Sequence, residues 1–139
     1  MSSRFVRPDT AVLTISRGDT LIVKRRLNAG EQRARFARMS LSGVDGSLNV
    51  NRLQVGLATI TAYLLDWSLT DDSQRPVVIR DLSEPDLAAK LDALDPESFS
   101  EIREAIEAHE AAMEAERAVE KKLSATPSTS NLISEFAAQ

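Results

Sequence analysis

Thr61-Ala62-Tyr63-Leu64-Leu65-Asp66-Trp67-Ser68-Leu69-Thr70-Asp71-Asp72 decides how the chain is read, because it holds the only Trp and the only Tyr of 139 residues. It closes the most apolar helix-like pattern of the sequence. Between Leu48 and Asp66, the residues Val50, Leu53, Leu57, Ile60 and Leu64 recur at spacings of three and four, flanked by Ala58, Ala62 and Leu65. This predicts a central helix over Leu48–Asp66. Tyr63 and Trp67, four residues apart, stack on one side of its last turn in that reading. Gly56 inside such a helix costs about 1 kcal/mol relative to Ala, an expense that close packing by another element would explain. Leu69–Gln74, with Asp71-Asp72-Ser73, carries turn chemistry.

Upstream, Ala11–Ser16 and Thr20–Val23 are β-prone runs separated by Arg17-Gly18-Asp19, the pattern of a hairpin. Leu13 and Ile15 are expected to face Leu21 and Val23. A two-stranded hairpin is not stable alone and must pack on helices or pair with another chain. Residues 1–10, with Pro8, are expected to be irregular. After Lys24-Arg25-Arg26, Asn28 and Glu31 form a capping-box pattern that opens a helix ending near Met39. Its Ala29, Arg33, Phe36 and Ala37 are expected to line one face, with Glu31, Arg35 and Arg38 solvated. Ser40–Ser47, with two glycines, is expected to be a loop.

Downstream, Arg75–Ile79 is extended, and Pro76 suits an edge or irregular segment. Ser83 can cap a helix with Pro85 in its first turn and Leu87, Leu91 and Leu94 as its stripe. Asp95-Pro96-Glu97 repeats that grammar. The helix it opens carries Phe99, Ile102, Ile106, His109 and Met113 on one face and is predicted to end near Lys122. Its last two turns thin to Ala and Val119, as if solvated or awaiting a partner. The small polar residues of 124–139 predict a disordered tail, within which Leu132, Ile133 and Phe136 form a small apolar cluster.

Apolar residues make up 42% of the chain but aromatics only 4%, so the core must be mostly Leu, Ile, Val and Ala. There is no cysteine, which excludes disulfides and thiolate metal sites and fits a reducing compartment. The longest apolar run is far below the roughly 18 residues of a membrane span, and no apolar segment of a signal peptide follows the first arginines. Residues 1–38 carry nine Lys/Arg against three Asp/Glu, or +6, and the remainder carries -10, giving the net -4. Such asymmetry arises when the two parts attract each other, or when a basic patch binds nucleic acid. Lys24, Arg25, Arg26 and Arg33 form the candidate patch. No aromatic stacking platform accompanies it.

The single histidine, His109, has no partner set for zinc and is expected to be structural. No nucleophile elbow, phosphate loop or calcium loop is present. Asp71 and Asp72 as adjacent acids in a turn are expected to be solvated rather than catalytic. No enzyme activity and no cofactor are therefore expected. Tyr63 and Trp67 are either the lid of the central helix or part of a partner-binding surface, which could extend to Phe99, Ile102, Ile106 and Met113.

Three stretches carry a resemblance. Ala62–Asp72, Lys24–Arg33 (KRRLNAGEQR), and Leu91–Phe99 (LDALDPESF) with Ile102, Ile106 and His109-Glu110 resemble segments of tail assembly chaperones of long-tailed bacteriophages, especially those of actinobacterial hosts. The resemblance spans roughly residues 20–117. It implies a non-enzymatic protein of the host-cell cytoplasm that binds the long, apolar, helical tape measure protein and assists tail tube subunits to polymerise around it. It also implies a longer frameshifted product, for which Lys121-Lys122 could be encoded by a slippery string. The alternatives are a phage nucleic-acid-binding or regulatory protein, using the basic patch with Arg35 and Arg38, or a structural virion component. The expected architecture is α+β and mainly helical: an N-terminal β-hairpin, about four helices over 11–123, and a disordered C-terminal tail. A homo-oligomer through the hairpin edges is a further expectation, whereas membranes and nucleic acid are not expected partners.

Overall fold

The structure is a computed structural model and describes residues 4–42, 48–50 and 52–137, with side chains for 4–39 and 54–123. The fold is α+β and mainly helical. The chain divides into two compact units, Met1–His109 and Glu110–Gln139.

The first unit is built on a three-stranded antiparallel sheet. Strands β1 (Thr10–Thr14) and β2 (Thr20–Lys24) form the expected hairpin. Leu13 lies opposite Leu21 as predicted, but Val23 faces Ala11. Ile15 lies beyond the strand and donates its amide to the Asp19 carbonyl at 2.9 Å. The connection is a 3₁₀ turn, Ser16–Gly18, in which Arg17 (φ 60°) and Gly18 (φ 77°) are left-handed. Gly18 reaches that region at no steric cost. The turn is tied down because the Ser16 amide and hydroxyl both donate to Glu101 Oε1, at 3.0 and 2.8 Å.

The third strand corrects the central-helix expectation. Helix α1 (Ala29–Met39) is followed by short paired strands β3 (Ser40–Ser42) and β4 (Leu48–Val50). Only then does helix α2 run, from Arg52 to Tyr63. The polar–apolar alternation of Ser40-Leu41-Ser42 and Leu48-Asn49-Val50 is the period of a strand, and it claims residues read as loop and helix start. Residues 43–47 lie outside the described set. At its other end α2 stops at Tyr63, and Leu64–Trp67 form strand β5 on the far side of β2.

A β-bulge explains why β5 looks helical in sequence. Val23 pairs with Leu64, Ile22 with Asp66 and Leu21 with Trp67, so Leu65 is the extra residue. The bulge lets two residues three apart share one face. Leu64 and Trp67 turn inward (4% and 9% exposed) while Asp66 turns outward. Tyr63 and Trp67 therefore do not stack on one helical turn. Trp67 instead donates its indole N–H to the Val77 carbonyl at 2.7 Å, which holds the extended segment 75–79 against β5. That segment folds back by an isolated bridge between Thr70 and Pro76, and Asp71 shapes the turn by accepting from the amides of Ser73 and Arg75.

Helix α3 (Glu84–Asp92) begins where Ser83 Oγ accepts from the Asp86 amide, at 3.4 Å. Helix α4 (Pro96–Ala137) begins where Asp95 accepts from the amide and hydroxyl of Ser98. Both starts are as the capping patterns predict. Helical backbone of α4 continues beyond Lys122 to Ala137. The side chains of 124–139, including the expected Leu132, Ile133 and Phe136 cluster, lie outside the described set.

The core is one cluster that joins the sheet to three helices of the first unit. It joins Leu21 and Val23 of β2, Leu64 and Trp67 of β5, Ile60 and Tyr63 of α2, Leu87 and Leu91 of α3, and Ile102 and Ile106 of α4. Gly56 has the packing role its cost required. A Cβ there would sit 2.8 Å from Arg103 Cδ and 3.3 Å from Phe99 Cε1, so α2 and α4 approach through the missing side chain.

Candidate functional site

Three stretches far apart in sequence meet in one place. Lys24–Arg33 leaves β2 and opens α1, Ala62–Asp72 ends α2 and forms β5, and Leu91–Glu110 joins α3 to α4. His109 is the pin between the first and the third. Its Nε2 lies 2.9 Å from the Arg25 carbonyl and 3.2 Å from that of Lys24. Carbonyls only accept, so Nε2 carries the proton and donates. The ring stands edge-on to Tyr63, with centroids 6.1 Å apart and planes at 89°, a favourable aromatic geometry. Arg35 lies over Tyr63, 5.8 Å from its centroid, and donates to Thr59 Oγ1 at 3.0 Å. Thr59 in turn donates to the Val55 carbonyl. His109, Tyr63, Thr59 and Arg35 thus form a connected polar network beside the core.

This network is a structural joint. His109 Nε2 is engaged as a donor, and no cluster of His, Asp or Glu that could hold a metal occurs among the described residues. The adjacent acids Asp71 and Asp72 lie in a turn whose geometry Asp71 itself maintains.

The partner-binding candidates separate into two groups. Tyr63 (4% exposed), Trp67 (9%), Ile102 and Ile106 (both 0%) are core side chains, and Phe99 packs partly buried against them. The structure therefore corrects their reading as a presented surface: their apolar stripes are spent inside the fold. Met113 is half-buried in the second unit.

The basic patch is also largely consumed. Lys24 pairs with Glu31, which closes the capping box by exchanging hydrogen bonds with Asn28. Arg25 is half-buried, and Arg26 has its Nε and Nη2 buried. Arg38 pairs with Glu84. Of the four patch residues, only Arg33 is exposed.

Helix α1 is accordingly turned the other way from its expected orientation. Glu31, Arg35 and Arg38 form its half-buried side, and Arg33, Phe36 and Ala37 face out. The charged side turns inward because each member meets a partner: Lys24, Thr59 with Tyr63, and Glu84. Phe36 is left 60% exposed. It borders a shallow, open, mostly apolar depression of about 470 Å³, lined by Gln32, Arg33, Arg35, Phe36, Ala37 and Met39. Sequence periodicity misses this surface because it assigns the aromatic residue to the core. The available signal is an isolated Phe in the arginine-rich run Arg33-Ala34-Arg35-Phe36-Ala37-Arg38. Val119 and Leu123 of α4 are also exposed, at 57% and 67%.

Three carboxylates are held below their ordinary range. Asp66 is lowered by its hydrogen bond from Arg80, at 2.7 Å, and by the Trp67 amide. For Glu31 burial opposes ionisation, but the Asn28 amide and the Lys24 ammonium outweigh it. Asp95 is lowered by the Ser98 amide and hydroxyl at the start of α4. A pKa depressed on folding stabilises the fold above the unfolded value, here 3.8 for Asp and 4.5 for Glu, and the gain is lost as pH falls through the folded value. Thermal melts by circular dichroism should hold level from about pH 7 to pH 5 and fall below about pH 4. An Asp66→Asn variant should show a shallower acid limb.

Comparison with protein-family models, curated proteins and solved structures finds no match to the chain.

Proposed function

We propose that this protein is a non-enzymatic phage tail assembly chaperone that holds an apolar helical client, the tape measure protein, while tail tube subunits assemble. What carries the reading is the convergence of the three resembling stretches on one joint, with His109 bonded to the Lys24 and Arg25 carbonyls and packed edge-on to Tyr63. Segments far apart in sequence resemble one family and are also one structural unit in this chain.

With Tyr63, Trp67, Ile102 and Ile106 buried, the client surface must lie elsewhere. The outward side of α1, with Phe36 beside its depression, is suited to it. An amphipathic client helix docks by seating apolar anchors in such a surface. The client should be soluble when co-expressed with this chain and insoluble without it. Phe36→Asp should abolish that rescue while changing folding stability by no more than about 0.5 kcal/mol, as is usual at exposed positions. A client equally soluble with and without the chain would remove the proposal.

A further inference from the structure

Among the described residues strand β1 ends the sheet, and its hydrogen-bonding pattern shows which groups face outward. The Arg25 amide donates to the Asp9 carbonyl and the Ile15 amide to the Asp19 carbonyl, each at 2.9 Å. In an antiparallel ladder such bonded pairs alternate with unbonded ones. With the β1–β2 register, Ala11 and Leu13 turn their main-chain groups toward β2, whereas Thr10, Val12 and Thr14 turn theirs outward. The side chains of these three residues are exposed, and Val12 is 64% so. Native edge strands are usually guarded by a charge, a proline or a bulge. Thr10-Ala11-Val12-Leu13-Thr14 has none of these.

The edge is also self-complementary. Its outward residues read Thr–Val–Thr in both directions. We infer that β1 pairs antiparallel with β1 of a second copy of this chain, about a two-fold axis at Val12. Thr10 then lies opposite Thr14 of the second copy and Val12 opposite Val12, with both bonds exchanged at each pair. The two sheets become one continuous sheet. Threonine–threonine and β-branched pairs are favourable cross-strand neighbours. A two-fold interface requires this kind of self-complementary patch, whereas an unrelated strand would gain nothing from the palindrome. A strand pair this short is far smaller than the roughly 1,200–2,000 Å² of a stable complex. The dimer is therefore reversible and concentration-dependent. This inference is independent of the proposed chaperone function.

Sedimentation of the whole chain over a wide concentration range tests it. The weight-average mass should rise from monomer toward dimer. Val12→Lys, which sets two ammonium groups face to face at an exposed position, should stay monomeric with an unchanged thermal melt. The chain has no cysteine, so Val12→Cys introduces a single thiol. Its Cα would lie about 5.5 Å from its mate, within disulfide range. It should cross-link under mild oxidation much faster than Val78→Cys, whose parent side chain is equally exposed at 66%. A wild-type chain that remains monomeric at its highest soluble concentration overturns the inference. So does self-association that Val12→Lys leaves intact, or equal cross-linking of the two thiols.

Discussion

Replacing Trp67 with Ala should unfold the protein or bring it close to unfolding. The indole is almost wholly buried in the cluster formed by β2, β5 and α4. Removing a buried Trp costs about 3–5 kcal/mol. The Val77 carbonyl also loses the N–H that holds it at 2.7 Å. Small domains have only about 5–15 kcal/mol to lose. Urea titration followed by far-ultraviolet circular dichroism measures the effect without needing the indole as a probe. Trp67→Phe retains most of the apolar volume and should recover most of the midpoint. A Trp67→Ala chain as stable as wild type would mean that the indole is not a core side chain.

His109→Leu should cost about 1–3 kcal/mol, the desolvation penalty of carbonyls left without a donor. Leucine fills much of the imidazole volume, so the cavity component is small. The Lys24 and Arg25 carbonyls lose their shared donor, and Tyr63 loses its edge-on neighbour, worth about 0.5–1.5 kcal/mol. The damage should be local to the β2–α1 connection. Hydrogen exchange should quicken around residues 24–28 more than in the β1–β2 ladder, and the melting temperature should fall.

Much of the architecture is legible because it is written in local chemistry. The Asn28–Glu31 box, the Ser83 cap and Asp95-Pro96 each place a helix start from a few adjacent residues. The Leu87/Leu91 and Ile102/Ile106 stripes identify core faces because no other element competes for them. Strand β5 is hidden because a bulge gives Leu64 and Trp67 a spacing of three, which mimics helical periodicity. Its partner β2 is also some forty residues away. Helix α1 is inverted because its charges find partners on β2, α2 and α3, which no pattern within the helix can reveal.

The site is less legible than the fold, for a related reason. An apolar stripe has the same periodicity whether it faces a core or a client. Ile102, Ile106, Tyr63 and Trp67 carry that signature and are buried, whereas Phe36 sits in a charged helix and is exposed. The stretch Thr61–Asp72 thus changes standing. It is the third strand and the aromatic wall of the first unit, and under the proposed function client contact falls on other surfaces.

Fluorine NMR of the chain labelled with 5-fluorotryptophan tests that division most directly, because Trp67 is the only tryptophan and yields one resonance. With unlabelled tape measure protein added, a complex should form in which the Trp67 resonance keeps its chemical shift while a fluorinated Phe36 position shifts. A Trp67 resonance that moves to saturation with the client would place the indole in the interface rather than in the core.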